Sequence, residues 1–165
     1  MATDATVTKH AKAAIEAGVW RKRPPMLVEY AKKGLKWIPK EDGTRVPIQY
    51  AEDLFRNAFD GIAVHPGEPT RLVQWTTATN RSARRDKVIA AWEGAFVAWL
   101  STLELEPFEA FKLRDALDQA FTLEVWGWKK ARGFVVDRFD QVTGSWQASD
   151  ELLVPPTLAA GRPLA

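Results

Sequence analysis

Asp60 and the triplet Gln74-Trp75-Thr76 are the residues of this chain whose types and spacing are best suited to chemistry. They lie in the stretch from Phe59 to Thr77, which reads F-D-G-I-A-V-H, then P-G-E-P, then T-R-L-V-Q-W-T-T. The pattern predicts two strands joined by a tight Pro/Gly turn. Side chains alternate along a strand, so Gln74 and Thr76 share one face while Val73 and Trp75 share the other. Asp60, at the head of the first strand, is expected to meet Gln74 across the pair. A carboxylate and an amide oxygen converging at a solvent-open cavity form part of a divalent-cation site, because hard dications are held by oxygen ligands. The plainer alternatives are an aspartate that caps local backbone N–H groups for Asp60 and a satisfied buried amide for Gln74.

The elements that must position these residues are legible from periodicity and punctuation. Thr6 is expected to cap a helix running to Ala17 and ended by Gly18, followed by a basic linker with two prolines, Trp20 to Pro25. A second helix is expected from Pro25 to Lys33, stopped by Gly34, then a strand over Leu35 to Ile38 and a turn at Glu41 to Thr44. Residues 47–57 read as a short helix or an irregular approach to the Asp60 strand. A long helix is predicted over Ser82 to Leu100, with Val88, Trp92, Ala95, Phe96 and Trp99 as its buried stripe. Another helix starts near Pro107, with Arg114 and Asp118 as an i,i+4 pair. A hairpin of Thr122–Trp128 and Phe134–Phe139 closes the regular structure. This order gives an α/β or α+β fold. The division expected is an N-terminal helix and linker over 1–24, a central domain over 25–150 and an unpacked tail over 151–165.

Bulk properties narrow the chemistry. The 165 residues contain no cysteine and two histidines, His10 and His65, which removes thiol catalysis, zinc-thiolate sites and multi-histidine centres. Net charge is only +2, but residues 1–50 hold ten Lys/Arg against five Asp/Glu, and residues 51–110 hold six against nine. A basic third beside an acidic one suits a surface that grips phosphates next to one that holds cations. Most of the eight tryptophans fall on periodic apolar positions and are assigned to the core. No apolar run approaches a membrane span and the N-terminus lacks a signal peptide's hydrophobic stretch, so the expected location is cytoplasmic, with no membrane partner.

Three segments together carry a family likeness. Asp53-Leu54-Phe55, then Phe59-Asp60-Gly61-Ile62-Ala63-Val64, then Leu72-Val73-Gln74-Trp75-Thr76 resemble small phage and prokaryotic members of the PD-(D/E)XK nuclease superfamily, over about residues 25–140. Asn80 to Arg85 and Glu124 to Lys129 look like the same group. The resemblance implies a restriction-endonuclease-like αβββαβ core, a small mixed sheet flanked by helices. It also implies a metal-dependent DNA endonuclease, structure-specific or junction-resolving, using Mg²⁺ or Mn²⁺ and acting as a homodimer. By the same likeness Asp60 is the metal-binding aspartate, Gln74 occupies the second ligand position, and the carbonyl of Trp75 completes that edge. Thr76 stands where the family places a lysine, and Gln74 where it usually places an acid.

These departures define what else the site needs. Lys87 or Arg84 is the candidate to supply the missing cation, and Asp53 or Glu29 the further carboxylate. Arg81, Arg84 and Arg85 crowd the positive end of the long helix, where cations are disfavoured unless an anion sits there. They are expected to hold DNA phosphates, or else to pair with a nearby acid. Lys129, Lys130 and Arg132 in the hairpin connection form a second basic edge, expected to be either a nucleic-acid contact or a plain solvated turn. The Gln-x-Thr triplet also fits a nuclease fold that has lost catalysis and serves as a DNA-binding or assembly protein.

Overall fold

A computed structural model describes residues 3–18, 23–52 and 54–159. The first helix, α1 (Asp4–Ala17), starts three residues earlier than expected because Thr3, not Thr6, is its cap: the Thr3 hydroxyl accepts the Thr6 N–H at 3.3 Å. Gly18 closes the helix at φ +60°, a conformation that costs other residues more. Val7, Ala11, Ala14 and Ile15 form its buried stripe.

The main sheet has six strands: β1 (Leu27–Tyr30), β4 (Gly61–Val64), β5 (Thr70–Thr77), β6 (Phe121–Lys129), β7 (Gly133–Asp140) and β8 (Ser145–Ala148), side by side in that order. Among the described residues, only β5 and β6 pair in parallel. A parallel neighbour requires a crossover, here made by α3 (Arg81–Leu100) and α4 (Pro107–Ala120). The Glu106 and Glu109 side chains cap the start of α4 reciprocally. Leaving aside a hairpin and a single helical turn inserted between β1 and β4, the chain runs α1-β1-β4-β5-α3-α4-β6. This is a mixed α+β fold.

Strand alternation sorts the core into two clusters, one on each side of the sheet. Ala63, Val73, Trp75, Trp126, Phe134 and Val136 face α1. Leu72, Leu123, Val125 and Phe59 face the α3 side and pack on Val88 and Trp92. Among the described residues no helix is long and apolar enough to cross a membrane.

Several elements differ from the sequence reading. The expected helix over residues 25–33 is instead β1 and the start of β2 (Lys32–Pro39). Val28 and Tyr30 alternate onto the α1-side cluster, and Met26 donates to the Val64 carbonyl at 2.8 Å, so sheet pairing overrides helix propensity there. Residues 47–52 belong to β3 (Arg45–Glu52), the partner of β2, and only α2 (Leu54–Asn57) is helical. The turn between β2 and β3 forms as read, with Gly43 at φ +81° and the Asp42 carboxylate accepting the Thr44 N–H at 2.9 Å.

The stripe of α3 is buried only at Val88 and Trp92; its second half meets α4, where Arg114 bonds Glu93 at 2.8 Å, and Trp99 is 47% exposed. Strand β8 was not foreseen. Nor is the expected tail over 151–165 unpacked as far as it is described: Leu153 and Phe134 exchange backbone bonds of 2.8 and 2.9 Å. Pro155 is buried, and Leu158 of α5 (Pro156–Ala159) lies against the α1-side cluster. Trp75, Trp92, Trp126 and Trp128 are buried, whereas Trp37 and Trp99 are exposed; Trp20 lies outside the described residues.

Candidate functional site

Strands β4 and β5 part company at the candidate site. Their ladder ends at the Gly61–Val73 pair, extended by the Asp60 N–H to the Val73 carbonyl at 2.9 Å, while β5 continues along β6 through Thr77. On its β4 side, therefore, Trp75 has no strand to bond. The Asp60 carboxylate takes that place, its Oδ2 accepting the Trp75 N–H at 2.9 Å and a hydrogen bond from Gln74 Nε2. Gln74 Nε2 also donates to the Trp75 carbonyl at 3.2 Å. The structure thus brings Asp60, Gln74 and the Trp75 carbonyl together.

The same contacts test whether this set suits a hard cation. Asp60, the Gln74 amide and the Trp75 carbonyl offer three oxygens of the kind that Mg²⁺ prefers. Gln74 Oε1 is buried with no hydrogen-bond partner among the described residues, and turning the amide by half a revolution would aim it at the position now filled by Nε2. In the arrangement seen, the amide NH₂ donates to both the Asp60 carboxylate and the Trp75 carbonyl. The donor types fit, whereas the expected open cavity is absent: Asp60 and Gln74 are only 4% and 3% exposed, and Thr76, on the same face, is also buried. Leu72, on the same face of β5, packs with Val88 and Trp92 of α3, so α3 covers part of this face.

The other expected ligands are scattered. Glu29 stands opposite Ile62 on β1, a diagonal neighbour of Asp60, with an exposed side chain. Asp53 lies outside the described residues. Among the described residues no group of three acidic or histidine side chains is arranged to hold a metal ion. Lys87 and Arg84 are half-buried on α3. His65 is buried directly after β4.

Arg81 and Arg85 have found an anion within the chain itself. Their Nε atoms lie 2.8 and 3.4 Å from Oδ2 of Asp137, which is fully buried on β7. Burial raises the Asp137 carboxyl above its ordinary pKa, and the two guanidiniums pull in the opposite direction. The register Gln74–Val125–Asp137 puts this acid in the same row as Gln74, two strands or about 10 Å away. Gly127 lets the pair form: a Cβ there would stand 3.0 Å from Arg81 Cδ. Lys129, Lys130 and Arg132 are exposed in the β6–β7 turn, at the end of the sheet where β5 also ends.

Two buried acids were missed. Besides Asp137, Glu124 is 1% exposed on the α1 side, its Oε1 bonded by Arg71 and by Arg138 at 3.0 and 3.1 Å. Its Oε2 accepts the Trp126 indole N–H at 2.9 Å. The available signal was a single carboxylate inside each apolar run, T-L-E-V-W-G-W and F-V-V-D-R-F. Arg71, Glu124 and Arg138 line a cleft of about 890 Å³ walled by residues 147–154.

Comparison with family models, with curated proteins and with solved structures finds no match for this chain.

Proposed function

We propose that this chain is a nuclease-fold protein of the PD-(D/E)XK type, a metal-dependent DNA endonuclease centred on Asp60, Gln74 and the Trp75 carbonyl. What supports the reading is the convergence of those three oxygen-bearing groups where β4 and β5 splay apart, within an element order that, with the β2–β3 hairpin and α2 set aside, runs α-β-β-β-α-α-β as far as β6. Mg²⁺ or Mn²⁺ held there supplies Lewis acidity at a scissile phosphate. The rest is the work of the chain. Asp60 brings the negative charge, β5 fixes the Trp75 carbonyl, and Thr76 presents a hydroxyl where a cation is expected. Lys87 or Arg84 on α3 is the candidate for that cation. Lys129, Lys130 and Arg132 extend the same end of the sheet with positive charge, suited to a DNA backbone read by shape and phosphate rather than by sequence. With Arg81 and Arg85 engaged by Asp137, the phosphate grip at the start of α3 falls to Arg84.

A second reading, a catalytically silent DNA-binding or assembly protein on the same fold, is favoured by the amide N–H that stands between Asp60 and the Trp75 carbonyl. Cleavage of branched and single-stranded DNA with Mg²⁺ or Mn²⁺, wild type against Asp60→Ala, separates the two. Metal-dependent cutting that the substitution abolishes supports the endonuclease. Cutting indifferent to Asp60→Ala removes this centre from the mechanism, and salt-sensitive binding with no cutting on any substrate supports the silent protein. Absence of DNA binding removes both.

A further inference from the structure

Strands β2 and β3 form a sheet of their own, hydrogen-bonded to no other strand among the described residues. Eight residues a side make an arm about 26 Å long. Opposed residues of an antiparallel pair share a face, so the register puts Trp37 with Pro47 and Leu35 with Gln49 on one side, and Ile38 with Val46 and Lys36 with Ile48 on the other. Both sides are open to solvent: Trp37 is 56% exposed, Leu35 60% and Ile48 46%. A two-stranded ribbon is marginal in water without something to cover it, and exposed aliphatic groups on both faces call for an apolar partner.

The same chain carries a surface of matching character. Phe55, Phe96, Trp99, Leu117 and Phe121 line an apolar groove of about 190 Å³ between α2, α3 and α4, the volume of one large aromatic side chain. Elsewhere on α4, Phe108 and Phe111 lie 66% and 68% exposed. Charge is complementary as well. Residues 32–52 of the arm hold five Lys/Arg against three Asp/Glu, whereas residues 93–120 around the groove hold two against six.

We infer that the β2–β3 arm of one copy docks into the α3–α4 groove of a second copy, with Trp37 seated against Phe96 and Trp99, and that the exchange is reciprocal about a two-fold axis. Each arm face is about 26 Å by 10 Å, so two arms covered on one or both faces, with the groove surface they cover, bury about 1,000–2,000 Å². That is the range of a specific dimer. An isologous contact of this kind closes on itself and stops at two copies. The inference does not depend on the nuclease reading, because it uses neither Asp60 nor Gln74.

Sedimentation equilibrium of the full chain tests it, with Trp37→Ala and Trp99→Ala as separate variants and far-UV circular dichroism as a fold control. Both side chains are exposed in a single copy, so their removal leaves its fold intact. The expected result is a dimer whose Kd rises about 30-fold or more in either variant, as for an aromatic hot spot. The double variant should add much less than a second such factor, because the two residues meet each other. A chain that stays monomeric to about 100 μM, or a dimer indifferent to Trp37→Ala, overturns the inference. A monomer whose DNA binding collapses in Trp37→Ala also overturns it, and assigns the arm to nucleic acid instead.

Discussion

The Asp60 carboxylate holds the backbone N–H of Trp75 at 2.9 Å, at the position along β5 where its β4 neighbour has ended. An amide at that point has no strand on that side to donate to, and its residue is buried. The bond therefore gives Asp60 a structural role that is independent of any metal. A buried donor left without an acceptor costs about 1–3 kcal/mol. Asp60→Ala is expected to lower stability by about 2 kcal/mol in urea denaturation, and Asp60→Asn by less than half of that, since its amide oxygen still accepts the Trp75 N–H. Equal losses in the two variants would show that the N–H does not rely on this side chain. The comparison also matters for cleavage assays, because Asp60→Asn removes the charge that binds a cation while keeping the strand end in place.

Glu124 and Arg71 illustrate a charge pair that is costly to break. Their side chains are 1% and 7% exposed, and Arg138, which shares the same carboxylate oxygen, is 53% exposed. Removing one member of a buried pair costs about 3–5 kcal/mol because the survivor remains in a low-dielectric site. Glu124→Gln is therefore expected to destabilise by about 3 kcal/mol, while Arg138→Ala, with a solvated guanidinium, costs less than about 1 kcal/mol. Urea midpoints of the two variants check the order. A loss at Arg138 equal to that at Glu124 would mean that the exposed arginine carries the interaction.

The sheet that bears the candidate site was legible in the sequence because its signals are local. Phe59 to Thr77 contains its own turn and its own alternation, and 121–140 is a hairpin with β-branched and aromatic strands, so both emerge where the residues say. Residues 25–33 and 47–52 were misread for the opposite reason. β1 is an edge strand of four residues and β3 pairs only with β2, so their conformation is fixed by partners rather than by a pattern of their own. At the site, spacing placed Asp60 against Gln74 but said nothing of depth, because burial depends on what packs over the sheet, and α3 covers part of that face. The pairing of Arg81 and Arg85 with Asp137 joins segments more than fifty residues apart, and it became visible only once β6 and β7 were in register with β5.

Gly127 sits directly under the start of α3. A Cβ built on it would lie 3.0 Å from Arg81 Cδ and 3.1 Å from Ala78 Cα. The arginine side chain can move aside, but the Ala78 backbone can do so only by lifting the start of the helix. Gly127→Ala is expected to cost about 1–3 kcal/mol, the usual range for overpacking. Because the second contact is backbone, adding Arg81→Ala should relieve only part of the strain. Urea denaturation of the single and double variants measures this; a fully neutral Gly127→Ala would mean that the helix start yields freely.

His10 links α1 to the end of the described chain, and it should make that contact sensitive to pH. Its ring stacks on Trp128 at 4.5 Å and 10°, and Nδ1 lies 2.6 Å from the Thr157 hydroxyl. Burial, with a smaller push from Lys9, lowers its pKa below the ordinary 6.5. A histidine depressed on folding binds its proton more readily in the unfolded chain, so stability rises with pH between the folded and unfolded values. Its contribution is fully present above about pH 6.5 and is lost as pH falls through the folded pKa. Thermal melts of wild type and His10→Gln across about pH 5–7.5 should therefore converge at the acid end and separate towards neutrality. The variant lacks the titrating ring, and parallel curves would show that His10 titrates alike in the folded and unfolded chains.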